Sequence, residues 1–265
     1  MKKAILFPFL LWVVACSNDS VMDEATSLDT ISLPTALVLN LSSGEEVNYQ
    51  LGYNQENRIQ ELSIIRSSDG DQNQFQANFS YGDNGILSEV SGTSGEEPFQ
   101  MTFSFDGNDV ISDIDYVSGN EEINFEVSYD ENLNNYSVNF VEFDLPLSFD
   151  FDTQNRLSVL GVQENSLIPN YSNFDKGIFH DVSLQPALHV WNGIFFFLAP
   201  WELYFLSARD IQDFNRENPT DPTLMARYQN KLRDGMGNLI AFRLSIGNFG
   251  TQFIDYTITY ENRTP

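Results

Sequence analysis

Cysteine is almost absent. Cys16 stands alone in 265 residues, so no disulfide can form within the chain, and stability has to come from a hydrophobic core. Histidine is nearly as scarce. His180 and His189 have neither His-x-x-x-His spacing nor a matching cysteine, which leaves no visible zinc-ligand set and no imidazole with evident triad partners. Basic residues number 13 against 38 acidic ones, for a formal charge of −25; such a surface repels phosphate backbones and excludes nucleic-acid binding. No phosphate-binding glycine loop and no Gly-x-Ser-x-Gly elbow is present, since Gly92-Thr93-Ser94-Gly95 is followed by Glu96. Asp69-Gly70-Asp71-Gln72-Asn73 spaces oxygen ligands as a calcium loop would, but Gln74 and Ser80 stand where an EF-hand needs glycine and glutamate. Carboxylate pairs for glycoside hydrolysis are abundant and, without geometry, uninformative. The chain therefore reads as a non-enzyme, with no catalytic residue, no metal site and no cofactor.

Long apolar runs are missing as well. Ala4 to Ala15 is too short to span a bilayer as a helix, and with Lys2 and Lys3 before it, residues 1–15 read as a signal peptide. The run ends in Val13-Val14-Ala15-Cys16, which resembles a bacterial lipobox: small residues let the peptidase reach the bond before the cysteine, whose thiol takes a diacylglyceryl group. The resemblance also implies N-acylation of Cys16. Two or more acyl chains, at about 0.8 kcal/mol per buried CH2, make a lasting membrane anchor. Residues 16–30 are then the lipidated cysteine and a polar, acidic tether without basic residues. Within it, Asp19-Ser20-Val21 and Asp29-Thr30-Ile31 resemble the short O-glycosylation signal of Bacteroidota, with Ser20 and Thr30 as acceptors.

What the remaining chain has in plenty is a repeat. Residues 31–265 read as one β-rich domain, with repeats over 45–162. Tyr53-Asn54-Gln55-Glu56-Asn57-Arg58-Ile59 is echoed by Tyr81-Gly82-Asp83-Asn84-Gly85-Ile86-Leu87 and by Phe105-Asp106-Gly107-Asn108-Asp109-Val110-Ile111. A shortened Tyr129-Asp130-Glu131-Asn132-Leu133 and a fifth copy, Phe151 to Leu157, follow; Tyr260-Glu261-Asn262-Arg263 begins another. Each copy runs an alternating strand into an aromatic, then an Asn/Asp/Gly segment able to adopt positive φ, then a second strand, which is hairpin chemistry. Phe75, Ala77, Phe79 and Tyr81 share one face. So do Met101, Phe103 and Phe105; Ile123, Phe125, Val127 and Tyr129; and Leu145, Leu147, Phe149 and Phe151. Polar residues such as Asn124, Glu126 and Ser128 take the opposite face, as half-buried antiparallel strands require.

The Tyr/Phe-Asp-x-x-Asn-Arg-Leu pattern resembles the YD repeat of Rhs-type surface proteins, and more closely uncharacterised Bacteroidota envelope lipoproteins carrying a handful of such repeats. Asn173 to Val182 is similar to a segment that follows the repeats in those lipoproteins. The resemblance covers roughly 45–182 and the last strand. It implies an all-β body in the cell envelope, at the outer membrane and facing periplasm or surface, and it supplies no activity.

Residues 186–234 break the pattern. Pro186 to Ala208 is dense in aromatics, but Asn192, Pro200 and Glu202 argue against a transmembrane helix. From Pro200, Trp201, Tyr204, Phe205, Ala208, Ile211 and Phe214 recur at helical spacing. Asp221-Pro222 offers a second helix start, with Leu224, Met225, Tyr228 and Leu232 on one side and Gly235 as its stop. The expected fold is all-β: a meander of antiparallel hairpins curled toward a barrel, with two helices covering one side and closing strands over 239–260.

Two functions fit this reading. The first is a non-catalytic envelope binding or scaffold protein for a glycan or envelope partner, with Trp191, Trp201 and Tyr204 as candidates to stack on sugar rings. The second is a carrier of lipid or another apolar ligand, in a cavity lined by residues such as Phe103, Phe125 and Phe149. Plain core packing of the aromatic block stands beside both.

Overall fold

The computed structural model describes residues 30–68, 71–140, 145–154, 156–162, 165–173, 176–196, 206–217, 223–247 and 252–264. The signal-peptide and lipidation expectations, including Cys16 and Ser20, lie outside them, as do Trp201 and Tyr204. Among the described residues sixteen strands form: β1 (Ile31–Leu41), β2 (Glu46–Tyr53), β3 (Ile59–Ser68), β4 (Asp71–Tyr81), β5 (Leu87–Ser94), β6 (Glu97–Phe105), β7 (Ile111–Ser118) and β8 (Glu121–Asp130). They continue with β9 (Asn135–Phe140), β10 (Leu145–Phe151), β11 (Leu157–Val162), β12 (Asn165–Tyr171), β13 (Ile211–Glu217), β14 (Thr223–Arg233), β15 (Leu239–Ile246) and β16 (Gln252–Arg263). Each pairs antiparallel with its sequence neighbours, and β1 pairs with β16 from Ile31–Arg263 to Leu41–Ile254, so the sheet closes as a barrel with no free edge.

Period-two patterning decides which side faces in. On β4, Phe75, Ala77 and Phe79 are buried while Gln74, Gln76, Asn78 and Ser80 are exposed; on β8, Phe125 is buried between exposed Asn124 and Glu126. The inward faces meet in one apolar core that includes Leu37, Tyr49, Val90, Ile114, Phe149 and Tyr256. Gly92 on β5 marks a close approach between neighbouring strands, because a Cβ there would collide with the Gln76 carbonyl on β4.

The repeated turn explains how the hairpins are made. In turns 54–58, 106–110, 152–156 and 234–238 the first residue's side-chain oxygen accepts the N–H groups two and four residues on, at 2.8–3.1 Å. The backbone of the first residue donates to the carbonyl of the fifth in the same turns and in 82–86. The fourth position is left-handed where described: Asn57 (φ 59°), Gly85 (76°), Asp109 (61°) and Gly237 (83°). A one-residue register shift then seats the preceding residue opposite the apolar residue six on, as in Tyr53–Ile59, Tyr81–Leu87 and Phe105–Ile111. The copy at Arg233–Leu239 was not among those read from the sequence. It lacks the leading aromatic, and Gly235 sits inside this turn rather than ending a helix.

The region 186–234 differs from the expected two-helix cover. Ile211 to Phe214 belongs to β13, and Leu224 to Leu232 belongs to β14; among the described residues the one α-helix, α1 (Pro186–Phe196), lies before both expected positions. The cause is bulging. On β13, Tyr171 pairs with Ile211 and Asn170 with Asp213, so Gln212 is skipped and the buried Ile211 and Phe214 stand three apart. On β14 the pairing jumps from Gln229 to Leu232 around Asn230 (φ 53°), which turns Leu232 outward at 60 % exposure. A two-for-one bulge turns a spacing of two into three and mimics a helix in sequence.

Candidate functional site

β12 ends and β13 begins at the mouth of the barrel that carries the repeated turns, and the described parts of the chain between them (172–173, 176–196 and 206–210) fold into that mouth. Ser172 and Asp210 tie the two ends of this connection together: Ser172 N–H donates to the Asp210 carbonyl at 2.8 Å and its hydroxyl to Asp210 Oδ2 at 2.6 Å. The Asp210 carboxylate is buried and ion-paired to Lys231 Nζ (2.8 Å) and Arg233 Nη2 (2.9 Å), so the buried charge is compensated. Asp181 accepts the N–H of Ser32 at 2.7 Å, with His180 Nε2 3.2 Å away. Asp181 thereby fastens the start of β1, and His180 Nδ1 lies 2.9 Å from the Gly177 carbonyl.

α1 follows. Pro186 fits the first helical position because it needs no N–H there. Just before it, Gln185 grips a repeated turn, donating to the Gly85 carbonyl (2.7 Å) and accepting the Leu87 N–H (3.0 Å). The helix is buried around its circumference from Ala187 to Phe195. It touches walls far apart in the sheet: Trp191 meets Phe79 edge-on at 5.0 Å, Phe195 meets Phe75 at 4.3 Å, and His189 lies 5.7 Å from Phe151. Gly193 lets it lie flush, since a Cβ there would collide with the Phe149 ring. The helix is therefore a plug in the lumen, where a cover over one side was expected.

This placement decides several sequence-read candidates. Trp191 is buried and stacked on Phe195 at 5.3 Å, which leaves no ring face for a sugar. Phe103, Phe125 and Phe149 are buried in the apolar core. They do not line the cavity of about 320 Å³, which lies where β11 and β12 diverge. Its walls include Leu157, Pro169, Tyr171, Leu184, Ile211 and Phe214, and His189 is at its base.

His189 and Asn192, one helical turn apart, are the polar residues that α1 buries. Among the described residues neither ring nitrogen of His189 and not the Nδ2 of Asn192 has a hydrogen-bond partner. Burial pushes the imidazole pKa down to about 4, so the ring is neutral at pH 7, with one donor and one acceptor. Sequence reading passed over this pair; the signal was two polar residues at i, i+3 in an otherwise apolar helical run. Among the described residues no group of three or more His, Cys, Asp or Glu could hold a metal ion, and no helix is long and apolar enough to cross a membrane.

No protein-family model matches the sequence, and no curated protein is similar to it in sequence. In three dimensions the chain is similar to a porin-like protein from Bacteroides uniformis, with a TM-score of 0.52 and 11 % identity over 86 % of this chain and 98 % of that one. A porin-like protein from Bacteroides vulgatus matches less well, with a TM-score of 0.40 and 14 % identity over 87 % and 99 %. The Bacteroides uniformis likeness is one of fold.

Proposed function

We propose that the protein is a non-catalytic binding or scaffold protein of the bacterial envelope, anchored by lipid on Cys16 and working in water as a closed, plugged barrel. One observation carries this reading: the outward faces are polar and the lumen is filled. A membrane-spanning barrel needs an outward apolar band about 25 Å tall and a polar interior. This wall has the reverse arrangement, with Gln74, Gln76, Asn78, Glu122, Asn124 and Glu126 exposed and the aromatics inside. The porin-like designation of its structural neighbour suggests a pore, but α1 occupies the space that a pore would need. The lipobox-like Val13-Val14-Ala15-Cys16 and the resemblance to repeat-bearing Bacteroidota lipoproteins support the anchor and an outer-membrane location.

The test is detergent phase partition together with planar-bilayer recording. The full chain is expected to take radiolabelled palmitate and enter the detergent phase, and Cys16→Ala to lose the label and move to the aqueous phase. Neither form should give stepwise conductance. A Cys16→Ala protein that stays with detergent, or that opens channels, overturns the reading.

A further inference from the structure

The ladder between β11 and β12 holds only Leu160–Leu167, Gly161–Ser166 and Val162–Asn165, then stops. Toward the plugged mouth the two strands separate, while β12 stays paired with β13 as far as Tyr171–Ile211. Pro169, inside the divergent stretch, has no N–H to offer a neighbour. Tyr171 reaches across the gap, donating its hydroxyl to the Leu157 carbonyl at 2.9 Å. The cavity lies in this open seam. Leu157, Pro169, Tyr171, Leu184, Ile211 and Phe214 make it mainly apolar.

Arg156 is the one cation among the cavity's described lining residues, and Asp152 binds it through two nitrogens, at 2.7 and 2.6 Å. Arg209 lies over the Tyr171 ring at 4.4 Å and does not line the cavity. The wall itself therefore offers no uncompensated cation to an anionic ligand. At the base, the imidazole of His189 is 3 % exposed and without a hydrogen-bond partner among the described residues. Buried polar groups are almost always satisfied, so an orphan at the base of an apolar cavity points to a partner that comes from outside the chain.

We infer that the β11–β12 seam is a binding site for an uncharged, mainly apolar small molecule whose hydroxyl, carbonyl or N–H group hydrogen-bonds His189. This rests on reading the protein as a binder. A pore or an unanchored chain would sink the broader reading without touching the seam, and a failed seam test would leave anchoring and closure as they are.

The probe is N-phenyl-1-naphthylamine, an uncharged fluorophore with one N–H, compared with 8-anilinonaphthalene-1-sulfonate, which has the same rings plus a charge. Both are titrated into the chain from Ser17 onward, which contains the whole closed barrel, in detergent-free buffer. The uncharged probe should bind at one saturable site, with the sulfonate weaker by about tenfold or more because its charge would be buried unpaired. Ala208→Phe, which fills the cavity, should abolish binding. Should that variant misfold, Ser183→Trp blocks the exposed rim instead. His189→Leu should weaken binding about fivefold, one neutral hydrogen bond, with an unchanged circular dichroism spectrum. Absence of saturable binding means that His189 is met by water alone and overturns the proposal. Equal affinity for the sulfonate, or binding that survives both blocking variants, overturns it as well.

Discussion

β2 to β10 and β11 to β14 are neighbouring stretches of one wall, assembled from the same antiparallel strands, yet they tolerate different things. Along β2 to β10 each hairpin follows the last with nearly continuous ladders; β3 and β4 alone pair at eight positions, from Glu61–Asn78 to Ser68–Asp71. Between β11 and β12 the ladder falls to three positions, the 172–210 connection departs from the wall, and β13 and β14 each carry bulges. The regular stretch satisfies its backbone locally and gains its stability from repetition. The irregular one leaves a polar group on the plug unmet and a cavity open. Binding chemistry concentrates where the repeat is broken, because a complete ladder with a filled face leaves no room for a guest.

Three perturbations break or sharpen this contrast, in descending order of effect. Gly92→Val drives a side chain into the Gln76 carbonyl in the regular stretch. We expect it to lower stability by about 3 kcal/mol or more, or to prevent closure, as read from thermal melts; a melt within a degree or two of the parent would show that the regular wall yields easily.

His189 comes next, in the irregular stretch. Its folded-state pKa of about 4 lies below the ordinary 6.5, so the unfolded chain binds the extra proton between those values. Stability is then full above pH 6.5 and falls as pH drops toward 4, by roughly 3 kcal/mol in total. His189→Leu should remove that dependence in urea titrations at pH 7 and 4.5, and should raise stability at pH 7 by ending the unmet burial. An unchanged pH slope in the variant would mean that His189 is hydrated or exposed in solution.

The smallest effect compares one turn from each side. Asp106→Ala and Asp234→Ala each remove two side-chain hydrogen bonds to backbone N–H groups and should cost about 1 kcal/mol. Asp234 should cost slightly more, because it also accepts the side-chain amide of Asn238 at 2.9 Å. Burial alone would raise the Asp234 pKa, but the bonds from Asn238, Met236 and Gly237 outweigh it and hold the carboxyl below its usual range. That contribution is present above the ordinary carboxylate pKa and fades as pH falls through the lowered one. Equal pH profiles for Asp234→Ala and the parent would detach this turn from the others.

The sequence exposed what is periodic and hid what is not. Alternation in Ile123, Phe125, Val127 and Tyr129 and the Asn/Asp/Gly turns foretold hairpins and an all-β, barrel-like sheet, since both signals are local. Closure could not be read, because β1 finds β16 across more than two hundred residues. Among the described residues the expected helices over 200–234 gave way to strands: the skipped Gln212 puts the buried Ile211 and Phe214 three apart, and the bulge at Asn230 leaves Leu232 exposed, so its place in the i, i+4 run marked no buried face. His189 and Asn192 were visible only as letters, since nothing in the chain announces that α1 lies inside a lumen.

The pairing of β1 with β16 also sets an order of events. Every other ladder joins strands adjacent in sequence and can form as soon as both of its strands exist, whereas β1 must wait for the last strand to arrive. Until then the growing sheet presents two unpaired edges, β1 and whichever strand came last. A product truncated before Gln252 would keep both edges for good, so premature termination in β16 should yield an aggregating chain rather than a smaller working barrel.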